Sequence, residues 1–258
     1  MRKTPISTDN CIAIIPARYA STRFPGKPLA TIGGKTMIQR VVEQAQKALP
    51  HVYVATDDER IAVEVRSFGG EVIITAPTHT SGTDRLAEAI QKIEQLEGRT
   101  YDFVINIQGD EPFIQPEQIH QLLENFRYPD CQISTLVKKI DTHEQIWNAN
   151  LPKVTFTVSG KALYFSRSPI PYIRNHPKEE WEKHHRFFRH IGMYGYKKEV
   201  LLEVSALPAS SLEQAESLEQ NRWLENGYQL FVKETFTDSI GIDTPEDLKR
   251  AEAFLSNA

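Results

Sequence analysis

Only two cysteines occur in the 258 residues, and neither has the spacing of a metal ligand. Cys11 and Cys131 each lie in an apolar, strand-like stretch. That placement excludes a disulfide framework and points to buried thiols in a reducing compartment. Long apolar runs are missing too. Stretches such as CIAII (11–15) have strand length, far below the roughly 20 residues that span a bilayer. The first ten residues, MRKTPISTDN, lack the apolar core of a signal peptide, so a cytoplasmic protein is expected. An excess of one charge sign is missing as well. With a net charge of −4 and no extended Lys/Arg stripe, neither a nucleic acid nor a membrane is an expected partner. Apolar residues at 40% and charged ones at 25% exclude a disordered, collagen-like or coiled-coil chain. No internal repeat is present, and the length suits one large domain or two small ones.

One absence is local. Residues 11–42 contain Arg18, Arg23, Lys27, Lys35 and Arg40 and no acidic residue. A basic segment inside an acidic protein suits a small polyanion.

The first half alternates strand and helix signals. NCIAII (10–15) is a continuous apolar run, as in a strand buried on both faces. TMIQRVVEQAQKAL (36–49) has helical spacing, and HVYVAT (51–56) is a strand after which Asp57 is expected to cap a helix through Phe68. Gly69-Gly70 ends that helix, EVIITA (71–76) is the next strand, RLAEAIQKIEQLE (85–97) a helix and YDFVINIQ (101–108) a strand. Four such units predict an α/β fold with a mostly parallel, doubly wound sheet. Ligands of such sheets bind at the carboxyl ends of the strands, where the loops 16–28, 78–83 and 108–112 would gather. From about residue 131 to 235 hairpin-like strands predict an antiparallel extension or insert. Within it SLEQAESLEQNRWLENG (211–227) reads as one amphipathic helix. Thr244, Pro245 and Asp247 form a capping-box start for a terminal helix.

The loop PARYASTRFPGKPL (16–29) is neither GxGxxG nor a Walker A motif. Its small residues, two arginines and Lys27 nevertheless suit phosphoryl oxygens, against the alternative of a solvated basic loop. Asp110 in QGDEP (108–112) and Asp243 before the terminal helix are each either a metal-binding carboxylate or a helix-capping acid. Ser81, Gly82 and Thr83 could simply cap the next helix. Arg85 could be a nucleotide contact or an outward-facing residue. His190 and Tyr194, four apart in a strand, project to the same face. His184 and His185 lie in a charged run, read as a solvated loop rather than a metal site.

PARYASTRFPGKPL resembles the phosphate loop of the sugar nucleotidyltransferases, specifically the 3-deoxy-manno-octulosonate cytidylyltransferases. The resemblance continues through VATDD (54–58), SGTDRLAEA (81–89), INIQGDEP (105–112), ALYFSRSPIPY (162–172), FRHIGMYGY (188–196), SLEQAESLEQNR (211–222) and GIDTPEDL (241–248). It covers nearly the whole chain in family order, departing at Thr36 and in the loop 174–186. The resemblance implies a single Rossmann-like domain over 1–258, with an inserted sugar-binding and dimerisation segment at about 131–235. It implies CTP and 3-deoxy-D-manno-octulosonate (Kdo) as substrates, Mg²⁺ as cofactor, a homodimer and a place in lipopolysaccharide synthesis. Asp110 and Asp243 would hold the metal, with Arg18, Arg23 and Lys27 on the phosphates. Pro16, Ala17, Arg18, Lys27, Ser81, Gly82, Thr83, Arg85, Gln108 and Asp110 would contact the nucleotide. Arg167, Arg174, His190, Tyr194, Glu219 and Gln220 would contact the sugar acid. A related acid such as 8-amino-Kdo, or a non-catalytic nucleotide-binding module, are the competing readings.

Overall fold

The computed structural model describes residues 6–20, 24–79, 81–237 and 241–256. Its strands are β1 (Cys11–Ala17), β2 (Thr31–Ile32), β3 (Lys35–Thr36), β4 (His51–Thr56), β5 (Glu71–Ile74), β6 (Phe103–Asn106), β7 (Ile133–Lys139), β8 (Lys153–Phe156), β9 (Ala162–Ser166), β10 (Phe188–Lys197) and β11 (Leu230–Glu234). Its helices are α1 (Met37–Gln46), α2 (Glu59–Ser67), α3 (Gly82–Glu97), α4 (Pro116–Asn125), α5 (His143–Trp147), α6 (Trp181–His184), α7 (Lys198–Ser205), α8 (Ser211–Glu216), α9 (Glu219–Glu225) and α10 (Pro245–Ser256). No described helix is long and apolar enough to cross a membrane. The chain divides into two compact units.

The first unit holds Ser7–His120, Gly195–Ser205 and the C-terminal helix. Its main sheet runs β6–β1–β4–β5 with every pairing parallel, while β2 and β3 form a separate antiparallel pair. The run CIAII is completely buried in the central strand, as a strand covered on both faces requires. Helix α1 buries Met37, Ile38, Val41, Val42 and Ala45, one stripe at helical spacing, and the Thr36 hydroxyl caps it by accepting from Gln39 N. The cap of α2 is Asp58 rather than Asp57, because Asp58 is the last residue in extended backbone and accepts from Arg60 N. Helix α3 starts at Gly82, three residues before the apolar period predicts, because Ser81 and Asp84 form a reciprocal capping box.

The second unit holds Gln121–Tyr194 and Ala206–Thr237. Here β8 pairs antiparallel with β9 and β10, but β11 runs parallel to β7, in register from Leu230 opposite Ile133. The expected antiparallel segment is therefore mixed. A buried strand on either side of a helical crossover has no local signal of direction; only the connection decides it. The helix expected over 211–227 is also broken. Ser217 adopts φ +51°, ending α8 so that α9 restarts at Glu219. The break leaves Leu212 at the surface while Leu218 and Trp223 enter the core.

Candidate active site

The carboxyl ends of β1 and β6 in the first unit open onto a hollow of about 280 Å³. Pro16, Ala17, Arg18, Ala20, Lys27, Pro28, Gln108, Gly109 and Asp110 line it. Six of the expected nucleotide contacts thus share one wall system. Gly109 is required there by close approach. A β-carbon at that position would stand 2.9 Å from the Pro16 carbonyl oxygen, a backbone atom with nowhere to go. Gly26, at φ +71°, turns the basic loop back so that its N–H reaches the Tyr19 carbonyl at 2.9 Å. Lys27 follows in a short 3₁₀ turn.

The Lys27 ammonium lies 2.7 Å from an Asp110 oxygen and 3.1 Å from an Asp243 oxygen. Two carboxylates 133 residues apart in the sequence therefore converge on one point. Several contacts hold them there. Ile242 N donates to the Asp110 carbonyl at 2.9 Å, stitching the two loops together. Thr244 and Asp247 exchange capping bonds at the start of α10, and Asp247 also accepts from Asp243 N. The helix is anchored through Ile242, Leu248, Ala251 and Leu255 against Ile32, Met37, Phe24 and Phe113. A helix-capping role for Asp243 is thereby excluded: Thr244 has that place. A pair of converging hard oxygen ligands fits Mg²⁺, with Lys27 supplying the compensating charge here.

Ser81 is the helix cap of α3, and Gly82 abuts the hollow, since a β-carbon there would come within 3.7 Å of the Pro16 ring. Thr83 is buried in the first turn. Arg85 is fully buried, which removes the outward-facing alternative. Its Nη1 donates to the Thr75 hydroxyl and lies 3.4 Å from Asp57. Burial and the nearby Arg18 charge lower its pKa, and Asp57 works against both. Its Nε and Nη2 have no hydrogen-bond partner among the described residues, leaving donors to spare. Arg23 lies outside the described residues.

The second unit assembles most of the expected sugar contacts, and by neutral groups. The rings of His190 and Tyr194 are 5.3 Å apart, as their shared strand face requires. Tyr194 donates to Gln220 Oε1 at 3.2 Å. His190 Nε2 is 2.8 Å from the Thr135 hydroxyl, whose own proton goes to the Met193 carbonyl at 2.8 Å. His190 therefore donates from Nε2 and keeps a lone pair on Nδ1. Burial pushes its pKa down to about 3, so the ring is neutral at pH 7. Burial, aided by the Glu219 charge, raises Tyr194 beyond the range where it ionises. Glu219 itself accepts from Arg222 at 2.6 Å.

Arg167 is committed elsewhere. Its three guanidinium nitrogens each donate to a main-chain carbonyl, of Glu216, Ala149 and Ser217, at 2.6, 2.9 and 3.2 Å. It closes the carbonyl end of α8 at the Ser217 break. Arg174 is exposed in its loop. Sequence reasoning missed Thr135, Asp57 and Glu216. Glu216 accepts from the Ser166 hydroxyl at 2.6 Å and from Arg167 N at 2.8 Å. A threonine inside the apolar run ISTLV was the one available signal for Thr135.

Residues 12–248 match the family model for cytidylyltransferases. The chain belongs to the cytidylyltransferase family. It is similar to the 3-deoxy-manno-octulosonate cytidylyltransferase of Bacteroides thetaiotaomicron, 57% identical over 249 residues, covering 95% of this chain and 98% of that protein. The corresponding protein of Cytophaga hutchinsonii is 53% identical over 247 residues, covering 95% and 97%. A solved structure of CMP:2-keto-3-deoxy-manno-octonic acid synthetase complexed with CTP superposes with a TM-score of 0.87 at 41% identity, covering 96% and 98%. A cytidylyltransferase from Leptospira borgpetersenii, at 14% identity and TM-score 0.63 over 96% and 87% of the chains, shares the fold. The mostly parallel α/β core read from the β–α alternation is the architecture of these neighbours.

Proposed function

We propose that this cytidylyltransferase transfers the cytidylyl group of CTP to Kdo, forming CMP-Kdo and diphosphate. The observation that carries the reading is the convergence of Lys27, Asp110 and Asp243 in a hollow lined by the basic loop, within a chain 57% identical to a protein of that name. In this reading the anomeric hydroxyl of Kdo attacks the α-phosphorus of CTP in line, and diphosphate departs with the bonding electron pair. Asp110 and Asp243 would hold Mg²⁺, which when bound offsets phosphate charge at the reacting centre. Lys27 and Arg18 bind and orient the phosphates, so rate comes from positioning and charge complementarity rather than from a covalent intermediate. Ser81, Gly82 and Thr83 face the cytosine edge, with the buried Arg85 following them in α3.

Kdo is a polyhydroxylated acid, and a neutral His190 with an accepting Nδ1, Tyr194 and Gln220 suit hydroxyl groups. With the Arg167 guanidinium committed to carbonyls, its part in this reading is to hold the 216–217 turn. The exposed Leu163, Tyr172 and Phe236 of the second unit support a homodimer buried over that unit. Diphosphate release by the full chain, with each of four NTPs against Kdo, 8-amino-Kdo and a sialic acid in Mg²⁺, tests the assignment. Turnover confined to CTP with Kdo is expected. Comparable kcat/KM with a purine triphosphate, or no turnover with any acid, overturns it.

A further inference from the structure

The loop 174–186 carries three metal-capable side chains that have no part in the proposed transfer reaction. His176, Glu180 and His184 follow one another at four-residue intervals through a 3₁₀ turn (Lys178–Glu180) that runs directly into α6. Glu180 and His184 lie four residues apart across the start of α6, and His176, which precedes the turn and lies outside it, is folded back beside them. Their donor atoms lie within 4.8 Å of one another, and the two imidazole rings stack with centroids 3.5 Å apart. From this geometry we infer that the loop binds one transition-metal dication of the zinc class, held by His176, Glu180 and His184.

The distances suit such an ion. Two donors about 2.1 Å from one metal stand at most about 4.2 Å apart. In a tetrahedral site they stand about 3.4 Å apart, and the stacked imidazoles aim their in-plane lone pairs side by side, so closing the triad requires the two rings to turn about their side-chain torsions, which is open to them because both histidines are exposed. The donor chemistry selects the metal. Two imidazoles with one carboxylate match Zn²⁺, Co²⁺ or Ni²⁺, whereas Mg²⁺ prefers oxygen ligands such as Asp110 and Asp243. Three protein ligands leave a fourth position for water.

The frame beneath the triad is rigid. Trp181 lies between Glu180 and His184 and points the other way, 2% exposed, among Ile140, Ile146 and Phe187. Its indole N–H donates to the His176 carbonyl at 3.3 Å, which ties the first ligand's backbone to the helix carrying the other two. Lys183, 3.4 Å from Glu180, is the one cation paired with the triad's carboxylate among the described residues, and it is exposed enough to swing away. The bound ion would clamp the two ends of the 176–184 segment together over the Trp181 cluster. Its role is to order the loop, not to take part in cytidylyl transfer.

The test uses tag-free, metal-stripped full-length protein in millimolar Mg²⁺, titrated with Zn²⁺ by calorimetry and with Co²⁺ by visible absorption. One saturable Zn²⁺ per chain is expected, with a Co²⁺ spectrum of low-coordinate nitrogen and oxygen ligation. His176→Ala and His184→Ala should each weaken binding by roughly tenfold or more, while Asp110→Asn leaves it unchanged. Quenching of tryptophan fluorescence by Ni²⁺ should be lost in the same two histidine variants, with melting temperatures of the metal-free proteins unaltered. No saturable uptake, or uptake indifferent to both histidines, overturns the site.

Discussion

The two units gather polar side chains of opposite character. The first gathers formal charges, Lys27 against Asp110 and Asp243, at the carboxyl edge of a parallel sheet where side chains keep part of their hydration. The second gathers Thr135 and Gln220, which carry no charge, with His190 and Tyr194, which burial keeps neutral, and links them by hydrogen bonds. The difference follows from what each would hold. Phosphate and metal demand charge, and a charge left in water's reach avoids a heavy desolvation cost. Hydroxyls demand directional neutral donors and acceptors, which grow stronger as water is excluded.

The comparison can be broken most decisively at the charged end. Asp110→Asn and Asp243→Asn each retain shape and remove one negative charge. Each should lower kcat on the order of 10²-fold or more, read by diphosphate release at saturating Mg²⁺, with little change in melting temperature. Near-normal turnover in either variant removes that residue from the metal pair.

Arg167→Ala probes whether the second unit also uses charge directly. Its three carbonyl contacts predict a folding defect of about 2–3 kcal/mol, read by urea denaturation. A variant with normal stability and only a raised Kdo KM would return Arg167 to the substrate.

Gly109→Ala sharpens the geometry of the first hollow. Pushing a methyl group against the Pro16 carbonyl should cost about 1–3 kcal/mol and weaken CTP binding measured by calorimetry. An unchanged Kd would show that the 108–110 turn can retreat without consequence.

Smaller effects are expected among the neutral groups. Tyr194→Phe leaves Gln220 without its donor and should cost about 1 kcal/mol in stability, together with a higher Kdo KM at an unchanged CTP Kd. The acid side of the stability profile reports His190. Its folded pKa lies near 3 against an ordinary 6.5, so the unfolded chain binds the extra proton first. The stabilisation is complete above pH 6.5 and drains away as pH falls towards 3. Between those limits, acidification to about pH 5 should cost about 2 kcal/mol more in wild type than in His190→Gln. Identical profiles would mean that folding does not shift the imidazole's titration.

Much of the architecture was readable from local pattern. The parallel β–α alternation, the fully apolar β1 and the Thr244–Asp247 box all appear as expected, because burial on both faces and helix capping leave a signature within a few residues. The motif blocks likewise singled out Lys27, Asp110 and Asp243, which the fold brings together at the strand ends. The break at Ser217 was invisible, because its cause is Arg167 binding the carbonyls of 216 and 217 from 50 residues away. The parallel direction of β11 on β7 was equally hidden. Single residues also changed meaning once their surroundings were known: Arg167 turned from a candidate carboxylate partner into a clamp, and Arg85 from an even choice into a buried pillar beside Asp57. By itself the sequence determined the β–α alternation of the first unit, the terminal-helix cap and the identity of the charged residues, since these depend on neighbours within one turn or one strand. The tertiary structure alone decided which charges meet, which arginine is already occupied and which histidine is neutral, because hydrogen-bond partners and desolvation are set by residues far apart in the chain.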